Sequence, residues 1–149
     1  MTSTTNNDAY WDTPGALRAS DALTPSECWA LATTQSTGRL GFFREGLLDI
    51  FPVSYLVLDE RLYFRTSPDG VIATSDLSRV AFQVDQVNQQ ARTGWSVLAN
   101  GPATPVEDEA LLTRLWGRTM DEPLAPGRRD RFYSLAPVRL RGRRVGTAR

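Results

Sequence analysis

The sequence predicts a mainly β protein: an antiparallel barrel, closed or half-closed, carrying two or three peripheral helices. Three observations carry that expectation. From Gly38 onward apolar and polar residues alternate with period two over most of the chain. Short turn signals, Arg44-Glu45-Gly46 and Asp59-Glu60, join the early runs directly, as hairpins do. No strand–helix–strand alternation and no glycine fingerprint for a dinucleotide occurs, which argues against a doubly wound parallel sheet.

Residues 1–20 are polar and lack periodicity, so they are expected to form a flexible arm, with Tyr10 and Trp11 as anchors. A single barrel domain is expected over 21–149. Thr24-Pro25-Ser26-Glu27 is a helix start: threonine caps an amide, proline suits the first helical position, and glutamate reaches back to complete a capping box. Cys28, Leu31 and Ala32 then share a face, which makes Cys28 a small core residue rather than a nucleophile. Strands are expected over Arg39–Phe43, Leu48–Leu58 and Arg61–Thr66. After the break at Ser67-Pro68-Asp69-Gly70, one or two helical turns are expected over Val71–Leu77. Val80, Phe82 and Val84 alternate with Ala81, Gln83 and Asp85 in the next strand. Gly94–Val106 is another, in which Asn100-Gly101 is consistent with a hairpin turn or with a bulge in one continuous strand. Glu107-Asp108-Glu109 opens a helix with Leu111, Leu112, Leu115 and Trp116 as its apolar stripe. A Pro/Gly-rich loop, Asp121–Gly127, leads to the last strands, Arg131–Leu135 and Val138–Val145, giving six or seven strands in all.

The 149 residues, 41% apolar and 23% charged, suit one globular domain with its own core. Acidic and basic residues number 17 each, and every basic residue is arginine; histidine and lysine are absent and Cys28 is the single cysteine. This excludes a Schiff-base lysine, a phosphate loop ending in Gly-Lys, a Ser-His-Asp or Cys-His pair, and a zinc site. Difficult chemistry would therefore depend on an organic cofactor. No run approaches the length of a membrane span, residues 1–12 lack the basic start and apolar stretch of a secretory signal, and one cysteine makes no internal disulfide. A cytoplasmic protein without membrane contact is expected. Five arginines fall in the last eleven residues. Because Arg139, Arg141 and Arg143 alternate with Leu140 and Gly142, they are expected on the wet face of an edge strand, and nucleic acid is not expected as a partner.

Two constellations can carry binding. Arg65, followed by Thr66 and Ser67 at the mouth of a glycine-containing loop, offers guanidinium, hydroxyls and loop amides to a phosphate; the alternative is a surface arginine beside a polar turn. Trp95, after Gly94 and before Ser96, either lines a flat pocket for an aromatic ring or fills the core. Carboxylates, Tyr55, Tyr63, Tyr133 and Cys28 are the available acids and bases, and none forms a recognisable catalytic pair.

The ordered set Thr-Gly-Arg-Leu-Gly-Phe (37–42), Pro-Val-Ser-Tyr (52–55), Tyr-Phe-Arg-Thr (63–66), Val-Ala-Phe-Gln-Val-Asp (80–85), Gly-Trp-Ser-Val-Leu (94–98), Arg-Asp-Arg-Phe (129–132) and Gly-Arg-Arg-Val (142–145) resembles the pyridoxamine 5′-phosphate oxidase-like flavin-binding proteins, in particular their small single-domain members. The resemblance spans about residues 22–146. It implies a split β-barrel of the FMN-binding type and a homodimer, with FMN or a deazaflavin in grooves between the subunits. It also implies a flavin-dependent oxidoreductase-like activity on a small molecule. Carried over, it places Pro52, Val53, Ser54 and Tyr55 along the isoalloxazine edge. Arg65, Thr66 and Ser67 would lie at the ribityl phosphate, and Trp95 and Ser96 against the ring from the other subunit. The chain departs from the family pattern at three places. Val71-Ile72 stands where a basic residue usually follows the loop, Gln83 where glutamate is common, and Pro102 where a basic residue is common. Without histidine, true pyridoxamine phosphate oxidase activity is not expected. The alternatives are a non-redox binding module for a planar molecule and a cofactor-independent enzyme using the same groove.

Overall fold

The computed structural model describes residues 18–118 and 131–147. The expected loop over Asp121–Gly127 and the proposed anchors Tyr10 and Trp11 lie outside them. Nine strands and two helices follow one another as β1 (Arg18–Ala22), α1 (Pro25–Ala32), β2 (Thr37–Arg44), β3 (Leu47–Leu58), β4 (Arg61–Thr66), β5 (Asp76–Asn88), β6 (Thr93–Gly101), β7 (Ala103–Pro105), α2 (Glu109–Arg118), β8 (Arg131–Leu135) and β9 (Arg139–Thr147). All pairings are antiparallel, in the order β1-β9-β6-β5-β2-β3-β4-β8-β7, so the sheet curls into a half-barrel. The mainly β barrel class is the one the alternation predicts.

Local chemistry explains most element ends. At α1 the Thr24 Oγ1 accepts from the Glu27 amide at 3.2 Å, and the Glu27 carboxylate accepts from the Thr24 amide at 2.8 Å, so the expected capping box is complete. Both early hairpins turn on two residues in the left-handed region: Glu45 (φ 53°) with Gly46 (φ 79°), and Asp59 (φ 52°) with Glu60 (φ 58°). That handedness matches the twist of the flanking strands, and Asp59-Glu60 adopts it without glycine.

Four expectations are corrected. Residues 18–20, assigned by sequence to the loose arm, belong to β1, which pairs with β9. Val71–Leu77 holds one turn and then changes: Thr74 N–H bonds to the Gly70 carbonyl and Ser75 N–H to the Ile72 carbonyl, but β5 begins at Asp76, so Asp76 and Leu77 are strand residues. Asn100-Gly101 is neither hairpin nor simple bulge. There β6 ends its pairing with β5 and β9, and after Pro102 the chain continues as β7 against β8, passing from one part of the curled sheet to the other. A Cβ on Gly101 would stand 2.8 Å from the Ala136 carbonyl oxygen, so only glycine allows this close crossing. Finally, β9 is an edge strand only in its first part: among the described residues Arg139 and Arg141 have a strand on the β6 side alone and are exposed, as expected, whereas β1 covers the other side from Arg143 to Thr147.

The main core fills the barrel with Leu40, Phe42, Phe64, Phe82, Val84, Val97, Ala99 and Leu135, joined by Cys28 and Ala32 of α1. A second, smaller cluster, Leu58, Tyr63, Leu115 and Phe132, seats α2 on the opposite surface of β3, β4 and β8. Leu111 and Leu112 pack against it, as the apolar stripe predicts. The strands thus present two faces. One lines the barrel; the other is covered by α2 over β4 and β8.

Candidate functional site

Strand β3 is the element that makes the site. Its first half pairs with β2, from Leu47 opposite Arg44 to Ser54 opposite Thr37, and its second half pairs with β4, from Tyr55 opposite Phe64 to Leu58 opposite Arg61. The first half therefore has no strand on its β4 side among the described residues, and Pro52 presents no N–H there. Tyr55–Phe64 is the last pair between β3 and β4, so Ser54 and Arg65 are the first residues beyond it, at the seam where the two strands cease to pair.

The pleat divides the nine residues picked out by sequence. Side chains of Val53, Tyr55, Thr66 and Trp95 are buried. Pro52, Ser54, Arg65 and Ser96 point the other way, toward the outer surface, and are half-buried or exposed. Ser67 follows β4 and enters a tight turn in which Gly70 N–H bonds to the Ser67 carbonyl at 3.1 Å. Thr66 Oγ1 faces this loop, 3.9 Å from the position of a Cβ on Gly70. Trp95 lies in the main core, the second of the two readings its sequence allows.

Tyr55 has a structural task. Its hydroxyl donates to the Ala32 carbonyl at 2.5 Å, satisfying the C-terminal end of α1, and its ring meets Phe82 edge to face at 4.8 Å. Burial pushes its phenol well above the ordinary value for tyrosine. With the folded pKa above the unfolded one, this contribution is complete below about pH 10 and is lost as pH rises through and beyond that value. Tyr55→Phe is therefore expected to lower neutral-pH stability by about 1 kcal/mol, because the Ala32 carbonyl loses its donor, and to flatten the alkaline fall in Tm. Thermal unfolding of both proteins across alkaline pH checks it; parallel curves would refute the assignment.

Arg65 is held from the other side of its strand. Its guanidinium carbon lies 4.9 Å from the centroid of the Trp116 ring of α2 and 6.0 Å from that of Phe132, its directly paired neighbour on β8. Trp116 and Phe132 meet edge to face at 4.9 Å. Sequence reasoning read Trp116 only as part of an apolar stripe; no local signal links it to a residue 51 positions earlier.

Farther along the outer surface, Pro52, Arg39, Gln83, Leu98 and Arg141 form one cross-strand row from β3 to β9. The adjacent row brings Asp85, Ser96 and Arg143 together. Ser96 lies three strands from Ser54, about 14 Å at the usual strand spacing. On the other side of the first row the surface turns apolar. Phe43, Leu48, Ile50, Ala81 and Val138 line a groove of about 560 Å³, with Ile50 68% and Val138 81% exposed. Among the described residues no group of acidic side chains and cysteine has the geometry of a metal site, and no helix is long and apolar enough to cross a membrane.

The curled antiparallel half-barrel, with two helices packed on its strands, is a split-barrel fold. The chain belongs to the pyridoxamine 5′-phosphate oxidase family, whose model matches residues 24–144. It is 33% identical over 114 residues to the uncharacterised protein Rv0080 of Mycobacterium tuberculosis, covering 68% of this chain and 75% of that one. The FAD-binding protein of Mycobacterium smegmatis superposes with a TM-score of 0.66 at 25% identity, covering 85% of this chain and 98% of the other. An FAD-binding protein of Mesorhizobium loti has the same fold, with a TM-score of 0.63 at 22% identity over 87% of this chain and 98% of its own.

Proposed function

We propose that this chain binds the riboflavin 5′-phosphate moiety, as FMN or as part of FAD, at the seam between β3 and β4. The observation that carries the reading is that Ser54 and Arg65 both adjoin the last β3–β4 pair, Tyr55–Phe64, where the unpaired half of β3 begins. The donor set fits the group. A guanidinium suits a phosphate, Ser67 and the loop amides stand next to it in sequence, and Pro52 and Ser54 offer a flat, partly polar strand surface to a ring. The FAD-binding relative from Mycobacterium smegmatis supports a flavin over other planar ligands. When bound, a flavin supplies hydride or electron transfer, for an oxidoreductase acting on a small molecule. The chain's own residues bind and orient it: Arg65 and Ser67 the phosphate, Pro52 and Ser54 the ring edge.

The same reading includes a homodimer. Ser96 is too far from Ser54 for one ring to touch both within a chain, so its contact with the flavin requires a second copy. The neighbouring apolar groove supplies a surface for that copy. A second reading, binding of the planar molecule without turnover, is favoured by one observation. Tyr55, the tyrosine adjoining the site, has its hydroxyl proton committed to the Ala32 carbonyl, and burial makes its phenol a weaker acid, so it is poorly suited to donate a proton to a substrate.

Titrating the full chain with FMN, FAD, riboflavin and a deazaflavin, and following the quenching of flavin fluorescence, tests the proposal. Saturable binding of FMN or FAD, tighter than that of riboflavin, is expected, and no binding of any flavin would overturn it. A bound flavin reduced by a nicotinamide marks the redox reading; one reduced only by dithionite marks the binding reading. Light scattering is expected to find a dimer for the native chain and a monomer for Ile50→Arg, which puts a charge into the groove. A native monomer would refute the shared site.

A further inference from the structure

We infer that Trp116 is a positioning residue for the phosphate contact: the indole of α2 holds the Arg65 guanidinium in place at the seam. The inference rests on the proposed flavin site and extends it to an element that sequence and family pattern leave out. Arginine has many rotamers, and an arginine at a strand end can sweep a wide volume. Here its guanidinium carbon lies 4.9 Å above the Trp116 ring, with Phe132 at 6.0 Å as a second wall. A ring face engages the flat of a guanidinium, whereas its N–H donors project from the rim, so stacking fixes the group without using the donors that recognise phosphate.

The indole is itself fixed. Leu115, the residue before it, is fully buried between β3, β4 and β8 with Leu58, Tyr63 and Phe132. The Asp108 carboxylate accepts from the Leu111 amide at 2.8 Å at the start of the helix. Arg114 reaches Asp59 in the β3–β4 turn at 3.4 Å. Helix α2 thus contacts the β3–β4 hairpin at its turn, its middle and its open end, where Arg65 stands. Trp116, 40% exposed, contributes less to the small core than Leu115 does, which is consistent with a task at the surface. This clamp matters more in a chain whose loop lacks a second basic residue, since Val71-Ile72 follows Gly70.

A double-mutant cycle with two ligands tests the assignment. Dissociation constants for FMN and for riboflavin are measured by fluorescence quenching for the native chain, Trp116→Leu, Trp116→Phe, Arg65→Ala and Arg65→Ala/Trp116→Leu. Trp116→Leu is expected to weaken FMN about three- to tenfold and to leave riboflavin, which has no phosphate, unchanged. Trp116→Phe retains a ring face and is expected to recover most of the loss. In the Arg65→Ala background the tryptophan change is expected to have no further effect. Equal weakening of FMN and riboflavin, or an undiminished effect without Arg65, would overturn the inference while leaving the flavin site intact. A native chain that binds no flavin would overturn the flavin reading and this inference with it.

Discussion

Arg65→Ala is expected to raise the dissociation constant for FMN about ten- to a hundredfold, the equivalent of losing one charge-assisted hydrogen-bonded contact of about 1.5–3 kcal/mol. The effect is large because the residues after the loop, Val71 and Ile72, supply no second cation. Riboflavin affinity is expected to change little, since the loss is confined to the phosphate. Arg65→Lys is expected to recover only part of the affinity: an ammonium keeps the charge but has no flat face for Trp116 and no forked donor set. Isothermal titration of the three proteins with FMN checks the series. Unchanged affinity in Arg65→Ala would remove this residue from the site.

Gly142→Ala is expected to destabilise the fold by about 1–3 kcal/mol through overpacking. An added Cβ would lie 2.8 Å from Cys28 Sγ, 2.8 Å from Leu23 Cδ1 and 2.9 Å from the Ser96 carbonyl oxygen. The first two neighbours are side chains that can yield, and the third is backbone in β6. Cys28→Ala in the same chain is therefore expected to restore only part of the loss. Burial raises the Cys28 thiol above its ordinary pKa, so its removal takes no charge from the core. Urea unfolding of the single and double variants measures both effects; a Gly142→Ala protein as stable as the native one would show that β9 and α1 separate easily.

The parts of this fold legible in the sequence are those fixed by neighbours in the chain. Thr24 and Glu27 lie three residues apart, so the capping box announces α1. Val80, Phe82 and Val84 alternate and are all buried in β5. Strand β1 was not legible, because Arg-Ala-Ser-Asp-Ala has no alternation and its partner β9 begins more than 100 residues later. Val71–Leu77 follows the break at Ser67–Gly70 and is expected as one or two helical turns; one turn forms, and Ile72 and Leu77 are buried across that turn and the start of β5. The change of pairing at Pro102 depends on where β8 lies, which no local pattern encodes.

The site was legible as segments more than as side chains. Pro-Val-Ser-Tyr and Tyr-Phe-Arg-Thr do meet at one seam. A motif in a strand, however, names both faces at once, and only the register shows that Val53 and Tyr55 serve the core while Pro52 and Ser54 serve the surface. The contact of Trp116 with Arg65 is a meeting of distant segments, and such meetings leave no trace in spacing.

The double pairing of β3 makes stability and recognition inseparable at this strand. A slip of one residue against β2 would bring Tyr55 to the outer surface and drive Ser54 into the barrel. Every interior contact that pins the register, from Tyr55 at Ala32 to Phe82 across the barrel, therefore also guards the ligand surface against misalignment. Adaptation of this protein to a new ligand would then be expected to begin on the alternate residues Pro52, Ser54 and Arg39, where a side chain can change without the strand having to choose again which face is inside.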